Sequence, residues 1–277
     1  MRKLNLRERT ILITGATSGL GRQLALTLAE HEEANLILVG RNESKLKELI
    51  DEINRRCSVR TRIVVKDLLA EGSALSLYHE TENEDIFGLV NNAGLTYYGP
   101  TEASYLDLFT SIIDLDFRCV VELTLLFFNK LKVRSGGFIL NITSLASFVP
   151  IPYQSIYSAA KAATQIFSEC LFQENRDCPV LISTFAPSGI YTDMIERAGL
   201  TRHMQKHRFS YIDTERAAKE IISGLKRGKQ LIIPGVINRL IYRIMDVIPR
   251  RILIVLAGKI YNYEKYRITD ARPDKSR

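Results

Sequence analysis

The chain has 277 residues, of which 46% are hydrophobic and 25% charged, enough apolar material for one large α/β domain and too much for a disordered or collagen-like chain. Its four cysteines, Cys57, Cys119, Cys170 and Cys178, lie far apart without a Cys-x-x-Cys pair, so buried thiols in a reducing compartment are expected rather than a disulfide framework or a zinc site. The formal charge of +7 is uneven: residues 239–277 carry +6 of it, and a nucleic-acid groove across the nearly neutral main body is not indicated. The amino-terminal stretch lacks a long apolar run followed by a small-residue cleavage site, so the cytoplasm is the expected location.

Short apolar runs with β-branched residues recur at 10–14, 36–39, 63–65, 86–90, 138–142, 180–185 and 231–233. Between them lie helical patterns such as "SKLKELIDEINRR" and "YSAAKAATQIFSECLFQE", with apolar positions three and four apart. The strand runs are continuous rather than alternating, as in a parallel sheet covered by helices on both faces. The expectation is one doubly wound, three-layer α/β/α domain over residues 1–235, with a basic amphipathic helical extension over 236–277.

The first strand runs into "TGATSGLG" and then a helical pattern. Gly15, Gly19 and Gly21 permit a tight turn and close backbone approach, and the following helix offers unpaired N–H groups to a pyrophosphate, so Thr17, Ser18 and Leu20 also fall at a nucleotide site. At the end of the second strand, where an acid would select a free ribose 2′-OH, stands Gly40, followed by Arg41. A guanidinium with no carboxylate beside it favours a 2′-phosphate, hence NADP(H) over NAD(H). The alternative is that Arg41 merely opens the next helix.

In "YQSIYSAAK", Tyr157 precedes Lys161 by one helical turn, so the phenol and the ammonium share a face. A nearby cation lowers a phenol's pKa and makes it a usable proton donor and acceptor. On spacing alone the favoured reading is an incidental Tyr and Lys on a surface helix.

Taken in order, "TGATSGLG", Asp67 in "KDLL", "NNAG" at 91–94, Ser144 in "NITSLAS", Tyr157 with Lys161, and "APSGIYTDM" at 186–194 resemble the classical short-chain dehydrogenases/reductases. The resemblance covers roughly residues 8 to 235 and implies a Rossmann fold and an oxidoreductase transferring hydride between nicotinamide and a carbonyl or secondary alcohol. It implies that Asp67 contacts the adenine amino group, that Asn91, Ala93 and Gly94 support the adenosine side with Asn91 nearest the cofactor, and that Pro187, Ile190 and Thr192 lie along the nicotinamide. Ser144 would hydrogen-bond the substrate oxygen, Tyr157 would protonate it, and Lys161 would lower the phenol's pKa and hold the ribose. The resemblance also implies a homodimer or homotetramer packed through helices around 101–130 and 153–174.

The sequence departs from that pattern twice. Asp116 stands where the family usually has a proton-relay asparagine, and Ser188 where it usually has glycine. "HMQKH" places His203 and His207 one turn apart but lacks the glutamate and third ligand of a zinc motif, so no metal is expected.

Outside the resemblance, residues 195–212 with Met204, Phe209 and Tyr211 occupy the place of a substrate lid, the alternative being a mobile surface helix. In 236–248 apolar residues form one helical stripe opposite Arg239, Arg243 and Asp246, and the apolar run at 252–257 is far shorter than a membrane span. The stripe suits packing on the domain or on a second subunit, which is the favoured expectation, or peripheral contact with an anionic membrane. Apolar lid and extension together point to a hydrophobic small-molecule substrate such as a lipid ketone. The competing readings are a 3-oxoacyl thioester reductase and a nucleotide-binding regulatory protein of the same fold.

Overall fold

The computed structural model describes residues 3–134 and 136–262. Its strands are β1 (Thr10–Thr14), β2 (Asn35–Gly40), β3 (Thr61–Val65), β4 (Ile86–Asn91), β5 (Gly137–Ile142), β6 (Val180–Phe185), β7 (Gly189–Ile190), β8 (Tyr211–Ile212) and β9 (Leu231–Ile232). All seven runs anticipated as strands are present. They form one parallel sheet in the order β3-β2-β1-β4-β5-β6-β9, while β7 and β8 pair with each other.

The helices are α1 (Gly19–Glu32), α2 (Glu43–Arg56), α3 (Ser73–Glu80), α4 (Leu106–Ile113), α5 (Cys119–Val133), α6 (Ser155–Glu174), α7 (Asp193–Arg197), α8 (Thr201–Lys206), α9 (Thr214–Lys226), α10 (Val236–Val247) and α11 (Arg250–Ile260). Successive strand residues point to opposite faces, and both faces are dry. Ile11, Ile13, Leu36 and Leu38 pack with residues of α1, α2 and α9, whereas Leu12, Ile37, Val39 and Ile139 pack with residues of α3, α5 and α6. That double burial is why the strands read as unbroken apolar runs.

The strand order reverses between β1 and β4, and ligands of such sheets bind in the crevice at the carboxyl ends there. Among the segments that reach that crevice are the turn between β1 and α1, the loop after β4, and the first turns of α6. Between α4 and α5 the helix widens to a single π-helical turn, Asp114–Arg118, which turns Asp116 inward. Such turns are frequent at functional sites. The sheet ends with β9, and α10 begins at Val236 after three connecting residues. The described part of the extension, α10 and α11, folds back over the crevice, and residues 263–277 lie outside the described residues.

Candidate active site

The glycine turn is closed by contacts that admit no larger residue. Gly15 has φ +66°, and a Cβ there would lie 2.9 Å from Ala93 Cα; at Gly21 it would lie 2.4 Å from the Gly15 carbonyl oxygen. Thr14 Oγ1 accepts from the N–H groups of Asn92 (3.0 Å) and Ala93 (3.1 Å), and Asn92 Nδ2 donates to the carbonyls of Thr14 (2.9 Å) and Gly15 (3.1 Å). The loop after β4 is therefore tied to the glycine turn, a role for Thr14 and Asn92 that motif reading missed. Ser18 caps α1 with its backbone but makes no side-chain cap bond, leaving the positive helix end toward the cleft.

Gly15, Thr17, Ser18, Gly19 and Leu20 line the cleft, as do Ala93 and Gly94. Gly21 shapes the turn from behind it. Asn91 is a correction: its side chain is buried in a polar network, donating to Asn141 Oδ1 (2.8 Å) and Thr124 Oγ1 (3.1 Å), and it does not line the cleft. As the last residue of β4 it points into the protein, and Asn92 takes the cleft side.

At the carboxyl ends of β2 and β3 the cleft is bordered by Arg41, Lys45, Lys66 and Asp67. A Cβ on Gly40 would come within 2.6 Å of Thr17 Cγ2, so an acidic side chain at that position would displace Thr17. Asn42, not Arg41, caps α2, its side chain accepting from Lys45 N at 2.9 Å. Arg41 is exposed at the rim and, among the described residues, no ion pair engages it; Lys66 by contrast is paired with Glu80 at 3.0 Å.

The other end of the cleft gathers Ser144, Tyr157, Lys161 and Asp116. Ser144 sits just after β5 in a short capping box, accepting from Ala146 N (3.1 Å) and donating to the Pro187 carbonyl (3.3 Å), with its hydroxyl also bonded to the Tyr157 phenol. Lys161 Nζ donates to the Ile142 carbonyl at 2.9 Å and lies 3.4 Å from Asp116 Oδ1. Asp116 is wholly buried, accepts from Leu95 N at 3.2 Å, and its own carbonyl accepts from Thr164 Oγ1 at 2.6 Å. Gly94 makes room for it, since a Cβ there would lie 2.4 Å from Asp116 Oδ1.

Burial is the main reason that the Asp116 carboxyl is pushed up to about 6, with the Lys161 charge and the Leu95 N–H pulling the other way. Burial, seconded by the Asp116 charge, also pushes the Tyr157 phenol above its ordinary value, and the Ser144 hydrogen bond only partly offsets it. The expectation that Lys161 lowers the phenol is thereby corrected. Its ammonium stands 5.9 Å from the Tyr157 ring centroid and pairs with Asp116, while burial dominates the shift of the phenol.

Pro187, Ile190 and Thr192 also line the cleft, and Thr192 closes over the glycine turn, 3.0 Å from where a Gly19 Cβ would be. Ser188 donates to the Ser210 carbonyl, which also accepts from Asn238 Nδ2 of α10 at 3.0 Å. The departure at 188 thus has a structural role: it fastens the loop after β6 to the segment that anchors the extension.

Beyond Tyr157 the cleft widens into a chamber, and the whole cavity measures about 1170 Å³. Leu200, Phe209 and Tyr211 from the lid segment line it, together with Ile241, Met245 and Leu253 from α10 and α11. Met204 does not. His203 is buried, bonded through Nδ1 to Tyr211 Oη (3.1 Å) and stacked on Tyr261 at 4.2 Å. Burial first, then the neighbouring His207 and Lys206, drops its pKa to about 4, so it is neutral at pH 7. The histidine pair is therefore part of the chamber wall, which the lid segment at 195–212 and the apolar stripe at 236–248 had hinted at.

The family model described as short chain dehydrogenase matches residues 9–203. A human very-long-chain 3-oxoacyl-CoA reductase is 31% identical over 187 residues, 66% of this chain, and a putative oxidoreductase SadH of Mycobacterium tuberculosis is 32% identical over 276 residues, 93% of this chain and 98% of that one. The chain spans 60% of the human relative's length and 61% of that of a mouse relative. A short-chain dehydrogenase from Sphingobium yanoikuyae in complex with NADPH superposes with a TM-score of 0.77 at 22% identity, covering 96% of this chain and 99% of that one. The chain belongs to the short-chain dehydrogenase/reductase family, NAD(P)-dependent oxidoreductases that act on CH–OH and C=O groups.

Proposed function

We propose that the protein is an NADPH-dependent reductase of the carbonyl group in a hydrophobic substrate. The observation that carries this reading is the continuity of one cleft from the glycine turn, past Ser144 and Tyr157, into an apolar chamber. The cradle fits a dinucleotide: without a Cβ at Gly15 and Gly21 the turn packs closely on Ala93, Asn92 and itself, which keeps its backbone low beside the cleft that the α1 terminus faces. Gly15, Thr17, Ser18, Gly19, Leu20, Ala93 and Gly94 would hold the pyrophosphate and adenosine side, Asp67 the adenine, and Pro187, Ile190 and Thr192 the nicotinamide side. Arg41, exposed and unengaged with Gly40 before it, supports a 2′-phosphate.

When bound, the nicotinamide cofactor supplies the hydride. Negative charge then grows on the substrate oxygen, where Ser144 donates a hydrogen bond and Tyr157 a proton. A phenol keeps its proton at neutral pH, as the acid of the reductive direction must. Lys161 holds Asp116 and the Ile142 carbonyl in register below the phenol.

Relatives named very-long-chain 3-oxoacyl-CoA reductase favour a second reading in which the carbonyl belongs to a 3-oxoacyl thioester. Exposed apolar residues on α4, α5 and α6, including Leu106, Leu125 and Ile166, support self-association through those helices. Titration with NADPH and NADH, followed by turnover on ketones and acyl thioesters, tests the proposal. Tighter NADPH binding, inverted by Arg41→Asp, together with turnover that falls ~10²- to 10⁴-fold in Tyr157→Phe, is the expected result. Binding without turnover on any carbonyl would favour a regulatory nucleotide-binding role.

A further inference from the structure

We propose that α10 and α11 form a docking face for an anionic lipid surface, and that the chamber opens through this face so that a hydrophobic substrate enters from the bilayer. The entry route rests on the reductase reading; the docking does not.

Each of the two helices presents two adjoining apolar stripes. In α10, Ile241, Met245 and Ile248 just beyond its end line the chamber, while Val236, Leu240, Ile244 and Val247, recurring three or four positions apart, are exposed. Val236 is 71% and Val247 79% exposed. In α11, Leu253 and Ala257 are buried against the chamber, and Ile252 and Val255 are more than half exposed. Ile244, Leu256 and Ile260 are both exposed and part of the chamber wall, which places them at its mouth. Scattered exposed apolar side chains are ordinary, but an unbroken surface continuous with a cavity marks an interaction site.

Charge decides among the occupants. Arg239 is engaged by Glu220 at 3.5 Å, but Arg243, Arg250, Arg251 and Lys259 are exposed around the apolar surface, and Asp246 is the one acidic residue between 236 and 260. A two-fold contact with a second copy would gather both copies' cations into one interface with only Asp246 from each to offset them. Residues 263–277, "YEKYRITDARPDKSR", are mostly charged and offer little apolar surface to cover the face. An anionic lipid surface satisfies both features, taking the aliphatic side chains into its headgroup layer and the guanidinium groups onto its phosphates and carboxylates. No helix among the described residues is long and apolar enough to cross a membrane, so the contact is interfacial.

The test is sedimentation of the full chain with phosphatidylcholine vesicles, with and without phosphatidylserine, at low and high salt. The comparison is the triple variant Leu240→Glu, Val247→Glu, Val255→Glu, whose positions do not line the chamber. The wild type should bind the anionic vesicles about tenfold or more tightly than the neutral ones and be released by salt. The variant should lose that binding, keep its NADPH turnover of a short water-soluble ketone, and lose turnover of a long-chain ketone embedded in vesicles. Absence of wild-type binding at low salt, undiminished binding by the variant, or a wild-type dimer that the variant dissociates would each overturn the docking proposal. Vesicle binding with no turnover of any carbonyl would overturn the entry route along with the reductase reading and leave the docking standing.

Discussion

The two ends of the cleft are built on opposite principles. At the inner end almost every polar atom is assigned a partner: Thr14 and Asn92 lock the loop after β4 to the glycine turn, and Lys161 is held between Asp116 and the Ile142 carbonyl. At the outer end the wall is mostly aliphatic and aromatic, and α10 is fastened at its start by the Ser210 carbonyl and by Arg239 on Glu220, with contacts such as Phe148 on Tyr242 at 4.8 Å beyond. Directional bonds fix the inner geometry to within tenths of an ångström, as proton transfer requires. Apolar packing leaves the outer wall adaptable in shape, as an unselective grip on a hydrophobic chain requires.

The sharpest way to break the inner end is Lys161→Met. Removing one member of a buried ion pair strands the other, so this change should cost about 3–5 kcal/mol of stability and abolish turnover. The double variant Lys161→Met, Asp116→Asn should recover most of the stability, read by chemical denaturation, and none of the activity. If the double variant is no more stable than the single one, the two groups are not energetically coupled.

Gly21→Ala should weaken dinucleotide binding about 100-fold, because its Cβ would meet the backbone carbonyl of Gly15 rather than a side chain that can swing away. Calorimetric titration with NADPH reads this directly.

Asp116 gives a pH signature of its own. Its folded-state pKa, about 6, lies above the ordinary 3.8, so its contribution to stability is fully present below pH 3.8 and is lost as pH rises through 6. Relative to Asp116→Asn, the wild type should lose on the order of 2–3 kcal/mol between pH 4 and pH 7. Because the Asp116 charge also raises the phenol, the same variant should shift the pH profile of alcohol oxidation toward lower pH. Parallel stability curves across that range would contradict the assignment.

The mildest change tests the joint between the two ends. Ser188→Gly removes the hydrogen bond to Ser210 and should cost about 1 kcal/mol. Its effect should fall on KM for long substrates rather than on kcat, since it loosens the anchor of α10 and leaves Tyr157 untouched.

The inner end was legible in the sequence because its residues sit in unbroken local motifs whose geometry is set by the backbone. Gly15, Gly19, Ser144, and Tyr157 with Lys161 line one cleft, with Gly21 behind the turn, as the motifs and the resemblance they carry implied. Asn91 was misassigned because strand alternation at a loop junction decides which of two adjacent asparagines faces the cleft, and the motif does not state where β4 ends. The direction of the Tyr157 shift was missed because it is set first by burial of the phenol and then by Asp116, forty-one positions away in sequence and turned inward by a π-helical turn, and neither leaves a local pattern. The part of the chamber wall built by the extension was legible only as an amphipathic stripe, since periodicity shows that a helix has an apolar face without showing what it covers. In α10 the answer is two surfaces at once, the chamber and the outside.

The most direct measurement is kcat/KM with NADPH for a homologous series of methyl ketones of increasing chain length, with Tyr157→Phe setting the floor. Each methylene buried in the chamber is worth up to about 0.8 kcal/mol, so kcat/KM should climb two- to fourfold per methylene until the chamber is filled. A flat or falling series, or a wild-type rate no higher than that of Tyr157→Phe, would contradict a reductase that joins a fixed proton donor to an apolar chamber.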